Sequence, residues 1–219
     1  MNKDISILVT AIDRPDFHTK IFEDYVSYIG DIDCEWHISI NNVTDQVEKT
    51  KENLERILSK YTTHFYTYKT GGTRQDWFNS AQHVIKLAYN NQPNKAYLWL
   101  EDDWGIHKQG SLKDDLLLLQ NDNSYVALVD RPEVSFNPGL WGKKLFELLM
   151  YKNIIDPKNA IRADKYWAKE KTSPERICVP YPEANERTEH FNNIDRFKDA
   201  GRDWQGNKLN TKRTFHYHE

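Results

Sequence analysis

Three consecutive carboxylates, Glu101-Asp102-Asp103, follow directly on the apolar run Ala96-Tyr97-Leu98-Trp99-Leu100 and are closed by Trp104. Carboxylate oxygens are the ligands that Mg²⁺ and Mn²⁺ prefer, and these ions commonly bridge to the phosphates of a substrate. Like charges this close repel, so the triplet gains from a cation shared among them. An isolated acidic triplet reads as a solvated turn. The apolar run before it and the tryptophan after it favour a metal site instead. A second group of candidate ligands lies in Thr214-Phe215-His216-Tyr217-His218-Glu219. Two histidines two residues apart on an extended segment point the same way, and neutral imidazole binds Mn²⁺-like ions. His216 is the first choice, His218 the second and His190 a distant third, set against a frayed segment with no role.

The carboxylates need an element to hold them. A short continuous apolar run reads as a strand buried on both faces, as in the middle of a largely parallel sheet. Acids at its carboxyl end sit where open α/β sheets bind their ligands. The flanking sequence supplies the rest of such a sheet. Ile5 to Ala11 is a β-rich run that breaks at Asp13-Arg14-Pro15. Phe17, Ile21, Tyr25, Tyr28 and Ile29 recur at helical spacing, and Gly30 closes the helix. Glu35 to Ile40 alternates as a second strand, Val43 to Tyr61 carries an apolar stripe on a polar helix, and His64 to Tyr68 makes a short third strand. After Gly71-Gly72-Thr73, residues Asp76 to Tyr89 read as a helix leading into the acid-tipped strand. The order β-α-β-α-β-α-β is that of a doubly wound α/β sheet.

Beyond it, Leu112 to Leu119 reads as a helix, Tyr125 to Val129 as a strand, Ser135 to Trp141 as a turn-rich aromatic segment and Lys143 to Tyr151 as a helix. Ala163 to Lys171 reads as a further helix and Ile177-Cys178-Val179 as a strand. Residues Tyr181 to Glu219 are polar enough to be disordered by composition. Phe191, Phe197, Trp204, Phe215 and Tyr217 predict that much of this tail packs on the body.

The whole chain narrows the field. Its 219 residues suffice for one α/β domain with a sizeable core. A net charge of −3 gives no basic field for nucleic acid or an anionic membrane. Seven Trp, twelve Tyr and nine Phe favour flat, hydrogen-bonding ligands such as sugars or bases. Cys34 and Cys178 are far apart and lack metal-ligand spacing, which points to a reducing compartment. With no signal peptide evident and no apolar run of bilayer length, the expectation is a cytoplasmic protein without a membrane span.

The stretch Val9-Thr10-Ala11-Ile12-Asp13-Arg14-Pro15, the Gly71-Gly72-Thr73-Arg74 loop and the acid-tipped strand, in this order, resemble the nucleotide-sugar glycosyltransferases of the GT-A fold. In that family a hydrophobic strand ending in a short acidic motif, usually Asp-X-Asp, holds Mn²⁺ or Mg²⁺ against the donor diphosphate. Here Glu stands in the first acidic place. The resemblance covers about the first 150 residues, and the compact size resembles small bacterial or virus-encoded members. It implies a single α/β, Rossmann-like domain over 1–219 with a mostly parallel central sheet flanked by helices. Residues 1–105 would form the nucleotide-sugar half, and 106–219 the acceptor half and C-terminal tail.

The resemblance also implies roles. Asp103 would be the principal metal ligand, Asp102 a second or water-mediated one, and Glu101 would face the donor ribose. Thr10, Ala11 and Arg14 would line the base and ribose pocket, and Arg74 would meet ribose or phosphate through a guanidinium suited to oxyanions. Asp164 would be the base that deprotonates an acceptor hydroxyl, with Asp130 and Glu133 as rivals, or else a helix N-terminal acid complementing the dipole. His216 would complete the metal site. Trp141, Trp104 and Phe136 could stack on an acceptor sugar or simply pack in the core. A UDP-sugar donor and a glycan or glycosylated acceptor follow from the family. A nucleotidyl- or phosphoryltransferase would use the same acids, but no Gly-X-X-X-X-Gly-Lys occurs. A non-catalytic carbohydrate-binding protein is the alternative from another class.

Overall fold

The computed structural model describes residues 3–69, 80–81, 83–88, 91, 93, 95–130, 134, 137–150 and 187–200. In chain order the elements are β1 (Ile5–Ile12), α1 (Pro15–Ile29), β2 (Cys34–Asn42), α2 (Val47–Ile57) and β3 (Thr62–Lys69). A helix, α3, includes residues 80–81 and 83–88. Then come β4 (Ala96–Glu101), β5 (Trp104–Ile106), α4 (Leu112–Leu116), β6 (Ser124–Ala127), β7 (Gly139–Gly142), α5 (Lys143–Met150), β8 (His190–Asn193) and β9 (Phe197–Asp199).

Seven strands form one sheet in the order β3-β2-β1-β4-β7-β6-β8, and β5 pairs with β9 in a small second sheet. The pairs β1/β2, β1/β4, β2/β3 and β6/β8 are parallel, whereas β7 runs antiparallel to both β4 and β6. The expected α/β architecture with a mostly parallel sheet is therefore present. Both faces of the central strands are covered, which is why β4 reads as an unbroken apolar run up to Glu101 and β1 as an apolar one broken only by Ser6 and Thr10. On one face Ile7, Val9, Trp36, Ile38, Leu98 and Leu100 pack with Phe22, Tyr25 and Ile29 of α1 and Leu54 of α2. On the other, Leu8, Tyr97, Trp99 and Trp141 pack with Val84, Ile85 and Ala88 of α3 and Leu145 and Phe146 of α5.

Local chemistry sets the ends of α1. Pro15 occupies the first turn, where its missing N–H costs nothing, and Gly30 stops the helix at φ +65°. The polar helix expected from Val43 begins only at Val47. The buried Asp13 carboxylate accepts the backbone N–H groups of Val43, Thr44 and Gln46, and so holds that stretch as a loop. The helix expected over Leu112–Leu119 ends at Leu116, since Leu117, Leu118 and Leu119 each donate to the carbonyl three residues back.

The turn-rich reading of Ser135 to Trp141 is corrected at its end, because Gly139 to Trp141 lies in β7. A Cβ at Gly139 would stand 2.5 Å from the Tyr125 hydroxyl oxygen, so this glycine marks close approach within a sheet and not a turn. Part of the polar tail packs as its aromatics predict. Phe197 is buried and meets Tyr25 and Tyr28 edge-on, with ring centroids 5.7 and 5.3 Å away.

Candidate active site

Parallel pairing of β1 with β4 sets Thr10, near the end of β1, level with Glu101 at the end of β4, so the acidic triplet emerges beside the β1–α1 turn. Three contacts fix the triplet's backbone. The Asp102 N–H donates to the Thr10 carbonyl at 3.3 Å, and the Ala200 N–H donates to the Asp103 carbonyl at 2.7 Å. From below, the buried Tyr25 hydroxyl lies 2.6 Å from both the Glu101 and the Trp104 carbonyl oxygens and shares its one proton between them. The turn is thus clamped by the strand beside it, by the residue that follows β9 and by α1.

The three carboxylates do different work. Asp102 is buried, and its Oδ2 accepts from the Ile12 N–H at 2.9 Å, from Arg14 Nη2 at 2.9 Å and from His18 Nε2 at 2.6 Å. Burial alone would raise its pKa. Arg14, His18 and the Ile12 N–H outweigh burial and hold the carboxyl well below the usual carboxylate range. Arg14 is committed to this pair and lies over the Phe17 ring, 4.8 Å from its centroid. Such an oxygen has little left to offer a metal. Asp102 reads as the pin that ties β4 to β1 and α1.

Glu101 and Asp103, both half-buried, carry the remaining charge of the turn. Burial, then Asp103, then Asp102 push the Glu101 pKa well above its ordinary value, while a hydrogen bond to the Trp104 side chain pulls the other way. That excess of negative charge is what a divalent cation relieves, so Glu101 and Asp103 fit the ion that the sequence resemblance implies better than Asp102 does. The triplet's ligand oxygens do not all converge within 4.8 Å, a spacing that Glu35, His37 and His64 meet elsewhere on the sheet.

Beside the acids, Thr10 and Ala11 are buried at the end of β1. Thr10 Oγ1 and Asn41 Oδ1 are buried polar atoms without a hydrogen-bond partner, and Asn41 pairs in register with Ile12. Polar groups left so at the carboxyl edge of a sheet are suited to a bound ligand.

Of the residues singled out from sequence, Thr10, Ala11, Arg14, Glu101, Asp102 and Asp103 are brought together here. Arg74, Glu133, Phe136, Asp164, His216 and His218 lie outside the described residues. His190 belongs to β8, at the far edge of the sheet, and Asp130 is exposed after β6. Of the two readings of Trp141, sugar stacking or core packing, the structure selects the core. Trp141 is fully buried, with Tyr125 and Phe146 edge-on at 4.7 and 5.8 Å. Trp104 is half-buried at the turn. His18 escaped the sequence reading, in which Tyr25 is only part of the helix's apolar stripe. Their signal was the helical spacing Arg14, His18, Tyr25, which stacks all three along one side of α1 under the acids.

Comparison with known proteins agrees with this architecture. No protein-family model matches the chain, and no curated protein matches it. Among solved structures, S. aureus TarS has a TM-score of 0.57 at 14% identity, covering 88% of this chain and 36% of that one. TarS 1–349 in complex with UDP gives 0.55 at 12% identity, covering 88% and 59%. The mannosyltransferase PcManGT from Pyrobaculum calidifontis, in complex with GDP-Man and Mn²⁺, gives 0.50 at 11% identity, covering 68% and 47%. The chain therefore spans between about a third and three-fifths of the length of these three structures. At these identities the likeness is one of fold: the chain has the GT-A fold of nucleotide-sugar glycosyltransferases. These matches lend no support to the expected kinship with virus-encoded members.

Proposed function

We propose that the chain is a metal-dependent glycosyltransferase that moves a sugar from a nucleoside diphosphate sugar to a hydroxyl group of a glycan or other glycosylated acceptor. The observation that carries this reading is the clamped acidic turn, level with Thr10 at the carboxyl edge of a GT-A sheet. Asp103 would hold Mn²⁺ or Mg²⁺ as principal ligand, with Glu101 shared between the ion and the donor ribose. A divalent ion bound there supplies the positive charge that a diphosphate leaving group needs.

The chain's own residues would do the positioning. Thr10 and Ala11 back the base and ribose, Asn41 offers an acceptor oxygen, and Asp102 with Arg14 and His18 keeps the turn in place. Arg74 would meet the diphosphate, Asp164 would take the proton from the acceptor hydroxyl, and His216 would complete the metal site. A uridine diphosphate donor is proposed as the common donor of the family that the sequence resembles, and TarS, one structure of this fold, was solved with UDP.

The test is nucleotide release by the full chain from UDP-, GDP- and CMP-sugars, with and without Mn²⁺. Release of UDP that stops in excess EDTA is the expected result. Preference for a nucleoside triphosphate would indicate a nucleotidyltransferase, and sugar binding indifferent to nucleotide would indicate a lectin. Tighter binding of GDP than UDP in Mn²⁺ would overturn the donor choice alone.

A further inference from the structure

A second constellation of ligands lies away from the acidic turn, near the amino ends of β2 and β3. Glu35 and His37 alternate along β2 and so share one face, and parallel pairing places His64 of the edge strand β3 directly beside His37. The two imidazole rings stack at 4.9 Å with an interplanar angle of 17°. His37 Nε2 lies 3.3 Å from Glu35 Oε1, and His64 Nε2 lies 3.5 Å from Glu35 Oε2. The three residues can each offer a ligand atom, all within 4.8 Å of one another.

Two features distinguish this group from an ordinary hydrogen-bonded cluster. His37 is fully buried, yet its Nε2 makes no hydrogen bond, although Glu35 stands close. A buried ring nitrogen in that condition is costly unless something else meets it. Outer partners are also in position. Ser6 Oγ donates to Glu35 Oε1 at 3.4 Å, and the Tyr66 hydroxyl lies 3.5 Å from His37 Nδ1. Metal-binding histidines and carboxylates are usually held by such contacts.

We propose that Glu35, His37 and His64 form a site for a divalent transition ion of the zinc class, separate from the sugar-donor site, which pins the edge strand β3 to β2. Two imidazoles and one carboxylate are a donor set that suits Zn²⁺ and its neighbours and is poorly matched to Mg²⁺. Burial, against the opposing pull of Glu35, lowers the His37 pKa and favours the neutral imidazole a metal needs. His64 is partly exposed and provides the route of entry. From His37 to Asn41, at the carboxyl end of the sheet, is roughly 13 Å along the strand. An ion here would therefore not share ligands with Asp103.

The full chain, stripped with a chelator, would be titrated with Zn²⁺ by calorimetry and with Co²⁺ by visible absorption. We expect one equivalent of tight binding, a tetrahedral cobalt spectrum and a rise in Tm with Zn²⁺. His64→Ala should weaken Zn²⁺ by more than the roughly 10–100-fold that loss of an outer partner costs, and Tyr66→Phe by about that amount. Glu35→Gln is the second ligand variant, and circular dichroism of both verifies folding. Asp103→Ala and a His216→Ala, His218→Ala double variant should bind as wild type, which separates this site from the donor site and the tail. Wild-type stoichiometry and cobalt spectrum in folded His64→Ala, or no Zn²⁺ binding by the stripped wild type, would overturn the proposal.

Discussion

Asp102 and His18 meet at 2.6 Å although 84 residues separate them, and neither side chain is more than 7% exposed. With Arg14 and the Ile12 N–H on the same oxygen, this contact makes the middle acid of the triplet a structural anchor. Asp103, half-buried next to it, is the acid proposed above as principal metal ligand. The two should therefore separate on mutation. Asp102→Ala strands Arg14 and His18 and should cost about 3–5 kcal/mol of stability, the usual cost of breaking a buried charged pair from one side. Asp103→Ala should cost no more than about 1 kcal/mol and abolish Mn²⁺-dependent nucleotide release. Urea denaturation and the release assay measure the pair. Full activity in Asp103→Ala, or an undisturbed melt in Asp102→Ala, would reverse the assignment.

Tyr25 offers a finer probe, because removing one hydroxyl leaves the aromatic packing in place. Tyr25→Phe deprives the Glu101 and Trp104 carbonyls of their shared donor. A buried carbonyl left unpaired costs about 1–3 kcal/mol. The turn should also loosen, so Mn²⁺ and nucleotide affinity should fall with the melting temperature. Unchanged ligand affinity alongside lowered stability would show that the clamp serves the fold and not the site.

What could be read from sequence was local. The acid-tipped run, the Pro15 start and Gly30 stop of α1, and the order of the first four main-sheet strands all declare themselves within a few residues. What could not be read depends on register or on contacts across the chain. Asp102 resembles its neighbours until the Ile12 N–H, Arg14 and His18 arrive from 84 to 90 residues earlier. His37 and His64 become a pair only through the β2/β3 register. Gly139 and Trp141 read as part of a turn whose ring could stack on ligand or pack in the core, because glycine signals both a turn and a close approach. Only the Tyr125 ring against it decides between them.

Trp141 tests that last point. It is buried between Tyr125 and Phe146, so Trp141→Ala should cost about 3–5 kcal/mol through the cavity it leaves. Trp141→Phe should recover much of the loss without changing the KM for acceptor. If Trp141→Phe raises acceptor KM while leaving the melt intact, the ring touches sugar and the core assignment fails.

The tail's attachment carries a pH signature. The Tyr28 hydroxyl donates to Asp115 Oδ2 at 2.8 Å, and Arg196, from the turn before β9, grips both oxygens of the same carboxylate at 3.1 and 2.6 Å. Burial first, and Asp115 next, raise the Tyr28 pKa well above its ordinary value of 10.0, with Arg196 opposing. The sign follows from which state loses the proton first. Below pH 10 both states keep it, and Tyr28 adds no pH dependence. Above pH 10 the unfolded chain ionises while the folded one does not, so stability falls by about 1.4 kcal/mol per pH unit for this group until the folded pKa is reached. Tyr28→Phe should be less stable at pH 8 by about 1–3 kcal/mol, because Asp115 loses a donor. It should lose less than wild type between pH 9 and pH 11. Urea midpoints at the two values measure the difference, and lysine ionisation, common to both proteins, cancels. An equal alkaline loss in the variant would mean that Tyr28 ionises freely in the folded chain and that the seam between α1, α4 and β9 opens before it does.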